Sequence, residues 1–213
     1  MPTENQPMLP AHDALERLRE GNRRFVTGEL SNETRPSHSR VAASAGQAPF
    51  AIILGCSDSR VPAEIVFGQG LGDLFVIRVA GNIVAPSQVG SVEFAAASFG
   101  TRLVVVLGHT GCGAVLATLD ELQQPAEDQS PNLRSIVDRV RPSVEGLLRT
   151  ELRHDREALV QQATRANIGV SVDHLRHGSE ILEGLIRNEG LRVVGAEYSL
   201  ETGIVEFLDD AGS

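Results

Sequence analysis

The stretch Ala51-Ile52-Ile53-Leu54-Gly55-Cys56-Ser57-Asp58-Ser59-Arg60 decides how this chain is read: an aliphatic run ends in glycine, and a thiol, a carboxylate and a guanidinium follow at alternate positions. The pattern returns at Leu103-Val104-Val105-Val106-Leu107-Gly108-His109-Thr110-Gly111-Cys112-Gly113, where the run meets glycine and then an imidazole and a second thiol. Four or five consecutive aliphatic residues read as a strand covered on both faces, the habit of a parallel sheet. Open parallel sheets carry their chemistry at the carboxyl ends of the strands. If these two strands are neighbours, Cys56, His109 and Cys112 converge there. Two thiolates and one imidazole suit zinc, with a fourth position left for water or substrate.

Outward from that stretch, the pattern predicts an α/β protein. A mostly parallel central sheet of about four strands, with an antiparallel edge strand, is flanked by helices. Residues 1–213 form a single domain whose first 45 residues are an extended helical arm. Within the arm, residues 1–10 are a loose segment, and a helix starts at Ala11 with Ala14, Leu15, Leu18, Phe25 and Val26 near one face. Gly21-Asn22 weakens that helix midway. Residues 31–40 read as a loop and Val41 to Ala45 as a short helix. Such an amphipathic helix packs on its own domain or on a partner subunit.

Further strands are expected at Phe50 to Leu54, Leu74 to Val79, Leu103 to Leu107 and Leu191 to Ala196, with Ile204 to Leu208 returning as a hairpin partner. Helices are expected after Pro62, over Gln88 to Phe99, over Gly113 to Leu122, and as two or three segments between Leu133 and Asn188. Residues 123–131 read as a polar loop. Arg78, inside a strand, reads as an edge feature or as a member of a buried ion pair. Gly68, Gly70 and Gly72 lack the spacing and context of a dinucleotide fingerprint.

Composition narrows the partners. A net charge of -9, with only 19 Lys and Arg scattered along 213 residues, argues against a nucleic-acid surface or an anionic membrane face. No apolar run approaches the roughly 20 residues of a membrane span. Met1 to Gln6 has neither a basic start nor an apolar core, so no signal peptide is expected and the cytoplasm is the default compartment.

The two cysteines have three readings: a disulfide, two inert core thiols, or metal ligands. A reducing cytoplasm disfavours the first, and the polar groups beside each thiol disfavour the second. Cys112 stands at the start of a predicted helix, whose dipole favours a thiolate. Asp58 is a candidate to orient a metal-bound hydroxide, with Arg60 holding it ionised by paired hydrogen bonds. Outside a ligand loop, the same pair would read as an ordinary surface Asp and an unrelated Arg. His12, His38, His154, His174 and His177 lie in polar segments and read as solvated surface residues.

Cys56-Ser-Asp-Ser-Arg60 together with His109-Thr-Gly-Cys112-Gly113 resembles the β-class carbonic anhydrases. The helix segment Leu18-Arg-Glu-Gly-Asn-Arg-Arg-Phe25 is similar to that family's N-terminal arm, and Gly195-Ala-Glu-Tyr-Ser-Leu-Glu-Thr-Gly203 to its C-terminal hairpin. The resemblance implies one Zn2+ per chain on Cys56, His109 and Cys112, with Asp58 and Arg60 as the orienting dyad. It implies reversible hydration of carbon dioxide to bicarbonate and a proton by attack of zinc-bound hydroxide. Gln47 would bond substrate, usually across a dimer interface. Phe75 and Ala80 would line the apolar side of the pocket, Phe94 stands where some relatives carry tyrosine, and Gly113 would let substrate approach. The expected assembly is a homodimer with exchanged N-terminal helices, or a pair of dimers.

Two departures stand out. Arg78-Val79-Ala80-Gly81-Asn82 replaces the more usual Arg-Asn-Val/Ile-Ala-Asn, which implies a slightly roomier pocket. The chain has no tryptophan, so the tryptophan-based inhibitory bicarbonate site of some relatives is not expected; a swing of Asp58 onto zinc at low pH stays open as another inhibitory device. Three other functions fit parts of the sequence: a hydrolase of carbonyl sulfide or carbon disulfide on the same fold, a catalytically silent zinc protein sensing bicarbonate, and a redox protein. The last is disfavoured by cysteines 56 positions apart.

Overall fold

The computed structural model describes residues 9–29, 46–124 and 130–208. Strands β1 (Ala51–Gly55), β2 (Leu74–Arg78), β3 (Leu103–His109), β4 (Arg192–Tyr198) and β5 (Val205–Phe207) form one sheet in the order β2-β1-β3-β4-β5. The first four strands run parallel and β5 pairs antiparallel to β4. From β1 the chain steps to β2 on one side, then crosses back to β3 on the other. The crevice between the carboxyl ends of β1 and β3 is therefore the topological switch point, where open α/β sheets bind ligands.

The aliphatic runs are buried on both faces for a visible reason. Ile53, Val105 and Leu107 face one apolar cluster, and Ile52, Leu54, Val104 and Val106 face another. Helix α1 (Ala11–Thr27) covers the first face, together with the short α2 (Ala63–Val66). Helices α3 (Pro86–Ser98), α6 (Arg156–His177) and α7 (Glu180–Glu189) cover the second. Helices α4 (Gly113–Gln123) and α5 (Pro131–Val144), with α6, build a third apolar cluster that contains both cysteines.

Helix α1 runs unbroken through Gly21-Asn22, where the sequence predicts a weak point. Both residues are used in packing. A Cβ on Gly21 would sit 1.8 Å from the Phe67 carbonyl oxygen, so only glycine allows this approach. The Asn22 amide donates to the carbonyls of Val66 and Gly203, and its side-chain oxygen accepts from Val205 N–H. Replacing Gly21 by alanine is expected to push the helix off α2 and to destabilise the protein by about 1–3 kcal/mol or more. Urea unfolding measures this directly; an unchanged midpoint would show that the contact gives way freely.

Ala14, Leu15 and Leu18 of α1 are buried on the chain's own sheet. Each such leucine contributes about 1.5–3 kcal/mol when fully buried. The predicted loop at 31–40 and short helix at 41–45 lie outside the described residues, as do most of the N-terminal segment and the middle of the 123–131 loop.

Strand ends differ from the sequence reading where long-range pairing extends them. β3 continues through Gly108 to His109 because β4 continues alongside it, pairing Gly108 with Glu197 and His109 with Tyr198. Gly108 leaves room there for the Ile168 side chain, which a Cβ at 2.6 Å would force to move. Arg78 ends β2, an edge strand, as one of its two readings required. Among the described residues it makes no buried ion pair; its role is described below.

Candidate metal centre

Cys56 follows the last residue of β1, His109 ends β3 and Cys112 caps the amino end of α4, so the parallel pairing of β1 with β3 brings all three together. All are buried, and one donor atom from each lies within 4.8 Å of the others. The two sulfurs are 4.0 Å apart and both thiols are free. That is far beyond a disulfide bond of about 2.05 Å. It is close to the ~3.8 Å that two bonds of about 2.3 Å at a tetrahedral metal would give.

The imidazole is aimed by its neighbour. His109 Nδ1 lies 3.0 Å from the Thr110 carbonyl oxygen, which can only accept, so Nδ1 carries the hydrogen. His109 Nε2 is buried and, among the described residues, has no hydrogen-bond partner. An orphaned buried nitrogen beside two thiols is the signature of a ligand set made for a metal. Thr110 is itself fixed by the C-terminal hairpin: its N–H donates to the Tyr198 carbonyl, and its hydroxyl oxygen accepts from Leu200 N–H.

The electrostatics agree. The Cys112 thiol donating toward Cys56 lowers the Cys56 pKa to about 4 against the opposition of burial, helped by His109 and by the N–H groups of Gly81 and Asp58. Cys112 is pushed far up by the Cys56 sulfur and by burial, although the N–H groups of Val115 and Ala114 pull the other way. Burial opposes a charged His109 ring, but the Cys56 thiolate outweighs it and raises the ring's pKa. One thiol thus ionises easily and the second resists a second negative charge. A dication between the sulfurs removes that resistance, and soft thiolates with one imidazole fit zinc.

Asp58 and Arg60 form a fork. Asp58 Oδ1 accepts from the Arg60 backbone N–H at 3.0 Å and from Nε at 2.9 Å; Oδ2 accepts from Nη2 at 2.7 Å. The Arg60 guanidinium holds the Asp58 carboxyl well below the usual carboxylate range, against a smaller burial cost. Asp58 Oδ2 also stands 3.8 Å from His109 Nε2, on the edge of the ligand cluster.

Sequence reasoning missed what holds this loop. The Arg78 guanidinium donates to the carbonyls of Cys56 and Asp58, and Ser57 N–H donates to the Val79 carbonyl. Register explains the reach: Arg78 pairs with Gly55, the residue before Cys56. An arginine at the end of the adjacent strand was the available signal.

The expected pocket residues divide into two groups. Ala80 lies in the turn whose Gly81 N–H donates to Cys56 Sγ at 3.4 Å, and Gly113 directly follows Cys112. A Cβ on Gly113 would meet no atom within 4 Å, so the space beside it is open. Gln47, Phe75 and Phe94 are elsewhere. Gln47 is exposed before β1, with the whole five-residue strand between it and Cys56. Phe75, Phe94 and Phe99 stack with ring centroids 5.7–6.2 Å apart, and Phe94 is 54% exposed.

Comparison with known proteins decides the family. Residues 51–205 match the carbonic anhydrase family, Pro_CA. The chain belongs to the carbonic anhydrase family. It is 38% identical to carbonic anhydrase 2 of Mycobacterium tuberculosis over 202 residues, covering 94% of both chains. It is also 38% identical to a carbonic anhydrase of Mycolicibacterium smegmatis over 207 residues, with 93% and 94% covered. Among solved structures it is similar to the β-carbonic anhydrase CafA of Aspergillus fumigatus, with a TM-score of 0.73, 27% identity and 88% and 87% coverage. A tetrameric β-carbonic anhydrase of Sordaria macrospora shares the fold, with a TM-score of 0.72 at 23% identity and 95% and 98% coverage. This carbonic anhydrase is of the β class: a zinc lyase with one zinc per chain, interconverting carbon dioxide and bicarbonate. Among the described residues no helix is long and apolar enough to cross a membrane.

Proposed function

We propose that Cys56, His109 and Cys112 hold the catalytic zinc, that Asp58 orients the nucleophilic water, and that a partner subunit completes the carbon dioxide pocket. The observation that carries this reading is the placement of the Asp58–Arg60 fork 3.8 Å from the inward nitrogen of a buried Cys-His-Cys cluster. Zinc bound there supplies Lewis acidity, making water acidic enough to act as a nucleophile near neutral pH.

The chain's own residues do the rest. Asp58, locked as an acceptor by Arg60, takes a hydrogen bond from the water's O–H and so turns an oxygen lone pair outward. Its carboxyl is held too acidic to accept the proton well, so Asp58 orients and the released proton leaves toward solvent. Ala80 and Gly113 leave an uncharged gap for a small linear substrate. Arg78 keeps Cys56 and Asp58 in one fixed loop.

Gln47, Phe75 and Phe94 act in the partner's site. Gln47 lies at the amino end of β1 and Cys56 at its carboxyl end, some five residues at roughly 3.3 Å each away. The half-exposed Phe75, Phe94 and Phe99 cluster offers an apolar surface for the two-fold contact. A homodimer is the smallest active unit, and pairing of dimers gives a tetramer. Two free thiols used as ligands suit a reducing compartment, the cytoplasm.

Mixed dimers test the sharing. One chain carries Gln47→Ala and the other Cys56→Ser, each homodimer being weakly active or inactive. Co-expressed heterodimers regain carbon dioxide hydration, because one site then has its zinc ligands from one chain and Gln47 from the other. No recovery in verified heterodimers would place Gln47 in its own chain's site or outside any site.

A further inference from the structure

We infer that Asn167, on the face of α6 turned toward the Ala80-Gly81-Asn82 turn, is a positioning residue for Cys56. The inference rests on Cys56 being a zinc ligand. Asn167 is 2% exposed, on a buried helix face that it shares with Ala163, Thr164, Ile168 and Ser171. A buried amide is costly unless its bonds are made. Its Nδ2 donates to the Gly81 carbonyl at 2.7 Å, across 86 positions of sequence. Its Oδ1 is approached by the Ser143 hydroxyl at 3.5 Å.

What Asn167 holds is an unusual turn. Gly81 has φ 71° and Asn82 has φ 43°, two successive residues in the left-handed region. Glycine and asparagine enter this region most readily, and the carbonyls of both are held by side chains of α6. The turn's product is the Gly81 N–H, which donates to Cys56 Sγ at 3.4 Å. That bond fixes where the sulfur points. If Gly81 relaxes, its N–H leaves the sulfur. Asn167 thus reaches the metal ligand through one residue, Gly81, as partners of metal ligands do elsewhere.

Ser171 supplies an internal control. It lies one helical turn beyond Asn167, and its hydroxyl donates to the next carbonyl, that of Asn82, at 3.0 Å. It braces the same turn one residue further from the sulfur, at Asn82 in place of Gly81.

The experiment compares wild type, Asn167→Ala and Ser171→Ala as full-length zinc-loaded protein. Zinc transfer to a chelating dye gives the release rate, and the thiolate-to-metal absorption of cobalt(II)-substituted protein reports the sulfur's surroundings. Asn167→Ala is expected to release zinc about 10- to 100-fold faster and to shift the cobalt absorption. Ser171→Ala is expected to match wild type in both. Should Asn167→Ala fail to fold, Asn167→Ser removes the same donor with a polar side chain of smaller size. Wild-type release and absorption in the Asn167 variants would overturn the inference, and so would equal changes in both positions, which would mean general loosening of α6. Wild-type protein that takes up no zinc would instead overturn the metal reading itself.

Discussion

Replacing Asp58 by asparagine is expected to lower carbon dioxide hydration by about 10²- to 10⁴-fold, the span of a group that handles a proton or its hydrogen bond in the transition state. Zinc content should stay at one per chain, because the Asp58 carboxylate is paired with Arg60 and only its backbone N–H, kept in the variant, faces Cys56. Asparagine keeps the shape but offers one acceptor oxygen, and its amide can donate where the carboxylate only accepts. Both the two-bond fork and the orientation of the water are lost. The sign of the pH effect follows from the lowered pKa. The fork's contribution to stability is fully present above the ordinary Asp value of about 3.9 and fades as pH falls below it. In the neutral range, therefore, the variant should lose rate without a new pH dependence of stability. Stopped-flow rates with zinc assayed on the same sample check this; full activity in a zinc-replete variant would remove Asp58 from the mechanism.

Cys112→Ser is expected to have the second large effect, on the metal itself. Cys112 sits 4.0 Å from Cys56 Sγ, at the head of α4, with the first-turn N–H groups of Ala114 and Val115 favouring its thiolate. A serine hydroxyl does not ionise under these conditions and is a harder donor. Zinc affinity should fall by more than about 100-fold, the upper end of the cost of losing even a ligand's hydrogen-bond partner. Bound metal stabilises a fold by an amount that grows with the logarithm of free metal concentration over its dissociation constant. A strong chelator should therefore lower the melting temperature of the wild type and leave that of the variant unmoved. An equal drop in both would mean that the variant still holds zinc.

The sheet and the Cys-His-Cys convergence were legible because their signals are local. Runs such as Val104-Val105-Val106 read as strand without knowledge of their partners, and glycine followed by a ligand-type residue marks a strand's carboxyl end. What escaped was set by long-range contacts. Gly21-Asn22 reads as a helix breaker, yet Gly21 meets Phe67 and Asn22 bonds Gly203 and Val205, almost the whole chain away. His109 reads as a loop residue, yet β4 draws it into β3. Arg78 had two readings until the strand order put β2 at the edge and its guanidinium over the Cys56 loop. Asn167 gives no signal at all, because an asparagine in a helix ordinarily reads as part of the polar face.

The pocket residues mark a different boundary. Nothing in periodicity or spacing singles out Gln47, Phe75 or Phe94; resemblance alone brought them forward. The fold then places them away from their own chain's Cys56, which gives the partner-subunit reading its physical content.

The most direct test of the account is the initial rate of carbon dioxide hydration by the wild-type protein, followed by stopped flow across neutral to mildly alkaline pH, with zinc quantified and carbonyl sulfide offered in parallel. The account predicts rapid hydration at one zinc per chain, with carbon dioxide clearly preferred. Zinc-replete protein that leaves carbon dioxide untouched, or that turns over only the sulfur analogue, would contradict it.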